Sequence, residues 1–357
     1  MHRSECRPDR HATTPARRRL TLLIGGFVVF LLRSGSATAA VTEVHYTMGT
    51  YFTITIDGAD DETTRAAMRS CFADARRVES VFSRFDSTSE LSRVNADAAP
   101  ATTVSADMAE LISRALELRD ATGGTFDVTI GSLTALWRES PTWPPAASFN
   151  DPRARIRLQG RTLVRTAPNP TLDFDGIAKG YAVDRCVALL RRAEIARALV
   201  NLGESSQYAL GAPRGGDGWP IAVRGDRADA TIGTIRLRDQ ALSASAVFGH
   251  SRTLAGRRIG HIIDPATGNP LRTNAVAVVV ADNATDAEAF SKAALIWGAR
   301  AHHQRATDAS PVQGSGPPRS VQAILYIEDD HVSRWHGDAM RFVPAYRPIA
   351  AAAEPLS

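Results

Sequence analysis

Lysine is almost absent from this chain, so the positions that keep it are candidates for chemistry. Lysine and arginine together number 42, yet only Lys179 and Lys292 are lysines. The ammonium of lysine is a compact point charge, whereas the guanidinium of arginine is a planar fork, so the two are not interchangeable at a specific site. Chance retention could explain either lysine alone. We therefore treat both as candidates for sites that need a compact ammonium.

The residues around Lys179, in the stretch 172–184, predict a strand that passes into a helix. The glycines Gly176 and Gly180 permit a close approach of the backbone. Free N–H groups at the start of a helix can face phosphate oxygens, and Lys179 would add a cation. The alternative is an ordinary helix with Asp175 as its N-cap. Both interpretations stay open on the local residues alone.

A third candidate is His261, which begins the stretch 261–270, HIIDPATGNP. This pattern predicts a strand that ends in a Pro/Gly turn. Histidine can act as a general base because its ordinary pKa lies close to working pH. A lone histidine is nevertheless more often structural, so this residue does not define a site without its surroundings.

Hydrophobic periodicity predicts the elements that must position these residues. Helices are predicted at 62–80, 106–121 (with Ser105 as N-cap), 176–193 and 285–298. Strands are predicted from Val44 to Ile56 and at 126–130, 161–166, 171–174, 199–202, 208–210, 220–223, 234–237, 276–281, 322–327 and 332–342. Residues 138–150 are expected to form a loop and 302–319 a polar surface insertion. Many strands with few helices favour an α+β fold over an alternating βαβ sheet.

The N-terminal residues 1–39 are expected to be a secretory signal peptide. Three arginines (17–19) precede an apolar run from Leu20 to Leu32, and small residues follow at 37–39. That order is typical of export signals, and the run is short for a membrane span of roughly 20 residues. A retained anchor is the alternative. The expected mature chain is one domain over 40–345 with a disordered tail at 346–357, in the periplasm or outside the cytoplasm.

Charge excludes nucleic acid as an expected partner once this leader is set aside. The leader carries seven arginines against Glu5 and Asp9, a net charge of +5, whereas the whole chain carries +4. The remainder is therefore near −1, and the basic pI belongs mainly to the leader. Cys71 and Cys186 are the cysteines left, and they are expected to be buried thiols, with a disulfide as the alternative.

Common nucleotide-binding and hydrolase motifs are missing from the sequence. It contains no GxGxxG loop after a strand, no GxxxxGK[ST] loop and no GxSxG elbow. These absences argue against a dinucleotide Rossmann unit, a P-loop and an α/β-hydrolase nucleophile.

Six short motifs, in order, nevertheless resemble those of ApbE-type FAD:protein FMN transferases over roughly residues 44–300. They are Met48-Gly49-Thr50, the turn Phe82–Asn95, residues 123–129 (GGTFDVT), Asp173–Asp184, Asn201-Leu202-Gly203 and His261–Pro270. The resemblance implies an α+β, T-fold-like arrangement of mixed or antiparallel sheets and packed helices, with the flavin between two halves. It also implies FAD as substrate, Mg²⁺ as metal and an exported protein as FMN acceptor.

Carried over position by position, the resemblance implies roles for named residues. His261 matches the family's catalytic base, and the carbonyl of Gly176 matches a metal ligand. Contacts to the flavin or adenine are implied for Met48, Phe85 (usually Tyr in the family), Thr125, Phe126, Asp127, Asp173, Lys179, Ile263 and Ser291.

The departure from the family lies in the predicted helix 285–298. Where the family places Asp and Thr as metal ligands, this chain has Glu288 and Lys292. These residues are four apart and share one helix face, so a simple ion pair is the alternative to a metal site. A carboxylate can bind Mg²⁺, but a protonated amine cannot.

The function expected from these patterns is Mg²⁺-dependent transfer of FMN from FAD to a Thr or Ser hydroxyl of a partner protein, with release of AMP. One alternative is an FAD pyrophosphatase that gives FMN and AMP. Another is an exported flavin-binding protein without catalytic activity, which Lys292 would favour.

Overall fold

The computed structural model describes residues 40–140, 142, 156–166, 171–225, 231–247, 251–254, 256–303, 317–328, 331–336 and 342–344. The predicted leader, most of the predicted insertion and the C-terminal tail lie outside these residues. No helix in the described ranges is long and apolar enough to cross a membrane.

The helices are α1 (Glu62–Phe82), α2 (Glu90–Ala96), α3 (Ala106–Ala121), α4 (Gly131–Glu139), α5 (Ala178–Arg192) and α6 (Ala284–His303). The first nine strands are β1 (Val41–Thr47), β2 (Thr50–Ile56), β3 (Ala101–Thr103), β4 (Ile156–Gln159), β5 (Thr162–Arg165), β6 (Ala198–Leu202), β7 (Ser206–Leu210), β8 (Trp219–Arg224) and β9 (Thr231–Leu237). They are followed by β10 (Gln240–Ala246), β11 (Ser251–Leu254), β12 (Arg257–Gly260), β13 (Ile263–Asp264), β14 (Asn269–Pro270), β15 (Val276–Ala281), β16 (Val321–Glu328), β17 (His331–His336) and β18 (Phe342–Pro344).

An eight-stranded antiparallel sheet in the order β1-β2-β6-β7-β10-β15-β16-β17 forms the centre of the fold. Strand β15 is wholly apolar because both faces of this sheet are covered. Its residues Ala277, Val279 and Ala281 face a core shared with the helices. The alternate valines face a second core formed with β8 and β9 of a smaller sheet. The predicted α+β class is confirmed.

Helices α5 and α6 approach each other closely because Gly180 lies at their contact. A Cβ atom at Gly180 would stand 2.5 Å from the carbonyl oxygen of Ala284, closer than packed atoms allow. One turn further along α5, the half-buried Asp184 carboxylate accepts hydrogen bonds from the backbone N–H groups of Ala284 (2.6 Å) and Thr285 (2.9 Å). The start of α6 is therefore capped by α5, which sets the position of the residues that α6 carries.

Several predicted elements differ from the structure. Residues 126–130 form turns rather than a strand, and 171–174 have no regular structure. The helix predicted from 176 begins at Ala178, and its N-cap is Ile177 rather than Asp175. Helices α2 and α4 were not predicted, nor was the central strand β10, whose sequence QALSASA is too rich in small residues to show a strand pattern. Helix α6 also continues through residues 302 and 303, which the insertion was expected to include.

Candidate functional site

The two lysines of the chain meet at one buried carboxylate, Glu288. The Nζ atoms of Lys179 and Lys292 lie 3.3 Å and 3.5 Å from the same oxygen, Oε1 of Glu288. The other oxygen, Oε2, accepts the backbone N–H of Gly180 at 2.8 Å. The Glu288 side chain has no exposed surface. We call Lys179, Glu288 and Lys292 the lysine cluster; it unites positions 113 residues apart in the sequence.

Electrostatics keep the Glu288 carboxyl ionised between the two cations. Burial raises the pKa of Glu288, but the Lys179 and Lys292 ammonium groups outweigh it, so the pKa is lowered overall. The charge of Glu288 raises the pKa of Lys179. Burial lowers the pKa of Lys292, with Glu288 acting in the opposite direction. Since two cations meet one anion, the cluster holds an excess positive charge.

The side chain of Lys292 lies against Gly176, just before α5. A Cβ atom at Gly176 would be 3.5 Å from Cδ of Lys292 and 3.0 Å from the ring of Phe126. The Lys292 ammonium also donates to the backbone carbonyl of Glu288 at 3.3 Å. The lysine stem thus spans the distance between Gly176 and Glu288, the two positions at which the family resemblance implies metal ligands.

Asp173 and Asp175 precede this helix and share one guanidinium, that of Arg84. Arg84 lies 2.9 Å from Asp173 and 2.7 Å from Asp175. Asp173 also accepts a hydrogen bond from Thr134 Oγ1 of α4 at 2.7 Å. Desolvation and then the charge of Asp173 raise the pKa of Asp175 to about 6, although the Asp175 side chain keeps 46% of its surface exposed. Asp175 therefore serves in an ion pair rather than as the predicted helix cap.

Phe85 presents an exposed aromatic ring beside this ion pair. It is 76% exposed, which is unusual for a residue of its size. The guanidinium carbons of Arg84 and Arg138 lie 4.6 Å and 5.9 Å from its ring centroid. An exposed ring flanked by two cations is suited to stacking against a planar aromatic ligand.

The predicted contacts Thr125, Phe126 and Asp127 lie in a buried loop that is tied to α6. Trp297 of α6 donates its Nε1–H to Thr125 Oγ1 at 3.0 Å. The Asp127 carboxylate accepts from Thr129 at 2.7 Å and pairs with Arg119 at 3.2 Å. These side chains hold the loop in place, which puts the Phe126 ring against Gly176.

Ser291, also predicted to touch FAD, lies in the contact between α6 and the central sheet. Its hydroxyl is fully buried, at 3.0 Å from Ser243 Oγ and 2.8 Å from Ser245 Oγ on β10. The serines of β10, which prevented its prediction as a strand, thus form the polar contact between β10 and α6. This contact fixes the rotation of α6 next to Lys292.

His261 lies in an exposed bend between β12 and β13, and neighbouring contacts fix that bend. Asp264 accepts from Arg300 Nε of α6 at 2.8 Å, and Trp137 of α4 donates to the Gly268 carbonyl at 2.7 Å. The predicted contact Ile263 is buried in a small core that includes Trp137. Helix α4 therefore connects the His261 bend, through Trp137, with the Asp173 segment, through Thr134.

Met48 and Gly49 form the two-residue turn between β1 and β2, and Thr47 pairs with Thr50 across this turn. Its φ is 51° and that of Gly49 is 73°, the left-handed values of a type I′ hairpin. A residue with a large side chain rarely adopts this conformation, and such strain concentrates at functional sites. Met48 thus lies at the tip of the β1–β2 hairpin, and its contact with the flavin stays a prediction.

The described residues do not fit a magnesium ion at the position that the family resemblance implies. Mg²⁺ bound to Glu288 would lie about 2.1 Å from a carboxylate oxygen. It would then stand only a few ångströms from two ammonium groups. Unit charges 4 Å apart interact by about 4 kcal/mol at an effective dielectric constant of 20, so the repulsion of a divalent ion by two ammonium groups would roughly cancel its attraction to the one carboxylate. No group of three or more His, Cys, Asp or Glu side chains offers another cation site in the described part of the chain.

Three residues important to this arrangement, Arg84, Asp184 and Trp297, were given no role by the sequence. Arg84 and Asp184 lie within the motifs on which the family resemblance rests. The sequence thus contained these positions in its motifs but did not identify the residues that they contact. Trp297 lies five residues after Lys292 in α6, but nothing in the local sequence links it to Thr125. As predicted, Cys71 and Cys186 are buried free thiols.

Comparison with known proteins gives one consistent result. The model of the ApbE family matches residues 48–313. An FAD:protein FMN transferase of Klebsiella pneumoniae (strain 342) is 29% identical over 284 residues, covering 74% of this chain and 80% of the relative. An FAD:protein FMN transferase of Escherichia coli (strain K12) is 26% identical over 270 residues, covering 71% of this chain and 77% of the relative.

Two solved structures share the fold. The ApbE protein of Thermotoga maritima superposes with a TM-score of 0.73 at 23% identity, covering 83% of this chain and 97% of its own. The flavin transferase ApbE from Vibrio cholerae gives a TM-score of 0.67 at 23% identity, covering 84% of this chain and 98% of its own.

Proposed function

The chain belongs to the ApbE family, and from that premise we propose that it is an FAD:protein FMN transferase, an enzyme that moves FMN from FAD to a hydroxyl of a partner protein. The observation that carries the proposal for this chain is the lysine cluster. It places an excess positive charge at the start of α5, near the exposed Phe85 ring and the Asp173 segment. A flavin dinucleotide offers the complementary features, a planar ring system and an anionic pyrophosphate.

The proposed reaction is a displacement at phosphorus. The oxygen of an acceptor Thr or Ser hydroxyl attacks the FMN-side phosphorus, and a new P–O bond forms as the bond from that phosphorus to the bridging oxygen breaks. AMP leaves with the bridging oxygen. His261 accepts the proton of the attacking hydroxyl, a role that its exposed position permits because a protein acceptor must reach it.

The remaining residues bind and orient FAD in this proposal. Phe85 supplies a stacking surface for the isoalloxazine ring, and Lys179 faces the pyrophosphate. Thr134 and Arg84 hold the Asp173 carboxylate in position for a polar group of the ligand. Magnesium, which the resemblance implies, enters no step, since the residues at its expected position do not fit it.

Export of the protein and of its acceptor is part of the same proposal. It is supported by the order of segments in residues 1–39, in which arginines precede an apolar run and small residues follow that run. N-terminal sequencing of protein from the native host should begin at or near Ala40. A cytosolic chain that begins at Met1 would remove this part of the proposal without affecting the reaction.

The test of the proposed activity is incubation of the purified protein with FAD, with and without a threonine-bearing acceptor peptide. We expect flavin-labelled peptide and AMP in equal amounts. FMN and AMP without the peptide would instead indicate the pyrophosphatase. FAD should bind more tightly than riboflavin, and Asp173→Ala and Lys179→Ala should each weaken FAD. Equal affinity for riboflavin, with no AMP under any condition, would contradict the proposal.

A further inference from the structure

The position of Lys292 suggests more than a lost metal ligand. Its stem packs on Gly176, and its ammonium lies 3.5 Å from Oε1 of Glu288. It therefore occupies the space between the two groups that a cation would bridge. A lysine at this place brings its own positive charge.

Charge balance distinguishes this arrangement from a simple ion pair. With Lys179 alone, the cluster would be neutral, since one ammonium would meet the Glu288 carboxylate. Lys292 adds a second ammonium to the same oxygen, so these three side chains carry a net charge of +1. The next carboxylate that acts on both lysines, Asp175, is paired with Arg84 and keeps 46% of its side chain exposed. The second ammonium therefore has no carboxylate of its own within ion-pair distance among the described residues, and an anionic ligand can supply one.

The amino-acid composition is a second, independent sign that the two lysines have a specific role. The chain uses arginine almost everywhere else, and its only two lysines converge on one oxygen atom. A guanidinium is larger and planar, whereas the lysine stem passes over the backbone of Gly176, where a Cβ would lie 3.5 Å from Cδ of Lys292.

We propose that the Lys292 ammonium takes the place of the divalent cation and neutralises the FAD pyrophosphate, so that this protein binds and turns over FAD without a metal. The inference rests on the proposed function for its substrate. In the transfer step, the acceptor oxygen bonds to the FMN-side phosphorus as the bond from that phosphorus to the bridging oxygen breaks. The negative charge on the departing AMP phosphate is balanced by Lys292 and Lys179 rather than by a divalent ion.

The experiment compares the mature protein with a Lys292→Thr variant in EDTA and across a Mg²⁺ titration. FMN transfer to an acceptor peptide and FAD affinity, followed by flavin fluorescence, are both measured. The wild type should be unaffected by EDTA in both assays. In EDTA the variant should lose roughly 10²-fold in rate, the usual effect of removing a charge-stabilising group, and Mg²⁺ should restore part of the loss. Arg236→Thr, which removes an exposed cation, is the control and should match the wild type.

The outcomes separate this inference from the proposed function. Loss of wild-type activity and FAD affinity in EDTA, with recovery in Mg²⁺, would overturn the inference and leave the transferase intact. Absence of FMN transfer from either protein would overturn the proposed function. The inference would then be decided by whether FAD affinity depends on Mg²⁺ in the variant but not in the wild type. If Lys292→Thr does not fold, Lys292→Met retains the packed stem without its charge and replaces it in every arm.

Discussion

The lysine cluster and His261 differ in their exposure to solvent. The cluster lies on two packed helices, its carboxylate is fully buried, and a glycine at Gly180 lets those helices approach. The His261 side chain is exposed in a bend between short strands, and buried neighbours such as Asp264, which pairs with Arg300, fix the bend. The positively charged part of the site is thus part of the core, whereas the candidate base is on the surface.

This difference has a physical reason in the proposed reaction. Charges that stabilise a pyrophosphate act best where water is excluded and the groups do not have to reorganise. A base that takes a proton from another protein must remain accessible to that protein. A substitution in the cluster should therefore affect stability as well as activity, whereas a substitution at His261 should affect activity alone.

The largest effect is expected for His261→Ala. The rate of FMN transfer should fall by about 10²–10⁴-fold, the usual contribution of general base catalysis. FAD affinity and the free energy of unfolding should stay unchanged because the side chain is exposed. Single-turnover transfer, FAD titration and denaturant unfolding measure the three quantities. His45→Ala, at another exposed histidine, is the control for turnover and FAD affinity alone, since the His45 ring stacks on Phe72. Unchanged turnover in His261→Ala would remove the residue from the mechanism.

Glu288→Gln should give the largest loss of stability. It leaves two ammonium groups without their anion, and breaking a buried pair typically costs 3–5 kcal/mol. We expect about 3 kcal/mol in the free energy of unfolding, since both lysines keep some exposure. Adding Lys292→Met to this variant should recover part of the loss.

The control for Glu288→Gln is Asp217→Asn, which breaks the exposed ion pair with Arg236. Exposed pairs contribute about 0–1 kcal/mol, so little change is expected. Equal losses at the two sites in denaturant unfolding would contradict the contrast between buried and exposed charge.

Gly180→Ala should cost about 1–3 kcal/mol, the usual penalty for overpacking, because the new methyl group would meet the Ala284 carbonyl at 2.5 Å. The displaced α6 should also weaken FAD binding. Gly58→Ala is the matched control, since a Cβ there would meet only a side-chain methyl of Ile56, at 3.4 Å. Thermal unfolding and FAD titration provide the measurements. A Gly180→Ala variant as stable as Gly58→Ala would show that the helices can separate freely.

The smallest effect is expected for Asp184→Ala, which should cost about 1 kcal/mol at pH 7. It removes the acceptor of the Ala284 and Thr285 N–H groups, while Asn283 still caps α6 by accepting from Asp286. Burial raises the pKa of Asp184 to about 6 in the folded protein, above its ordinary value of 3.8. The folded state therefore binds this proton first as the pH falls, and wild type gains stability relative to the variant between about pH 6 and 3.8. Denaturant unfolding of both proteins at pH 7 and pH 4.5 should show a larger difference at the lower pH. A difference that shrinks at pH 4.5 would reverse the assigned direction of the shift.

Local sequence patterns were sufficient to predict secondary structure where the periodicity or the capping residues are clear. The strand structure within Val44–Ile56, the helix capped by Ser105 and the apolar strand 276–281 follow from periodicity and capping chemistry. Composition also singled out Lys179 and Lys292, and the family resemblance singled out Glu288. Composition alone marked the two lysines, because arginine serves nearly every generic positive charge in the chain.

Tertiary structure decided what these residues do together. Spacing in the sequence paired Glu288 with Lys292 along one helix, but the contact with Lys179 depends on the close approach of α5 and α6 at Gly180. Likewise, Asp175 was chemically suited to cap a helix, yet Arg84, 91 residues earlier, pairs with it instead. Hydrogen-bonding capacity belongs to a residue and can be deduced from its type. The choice among partners depends on which surfaces the packed core brings within reach, and only the folded chain determines that.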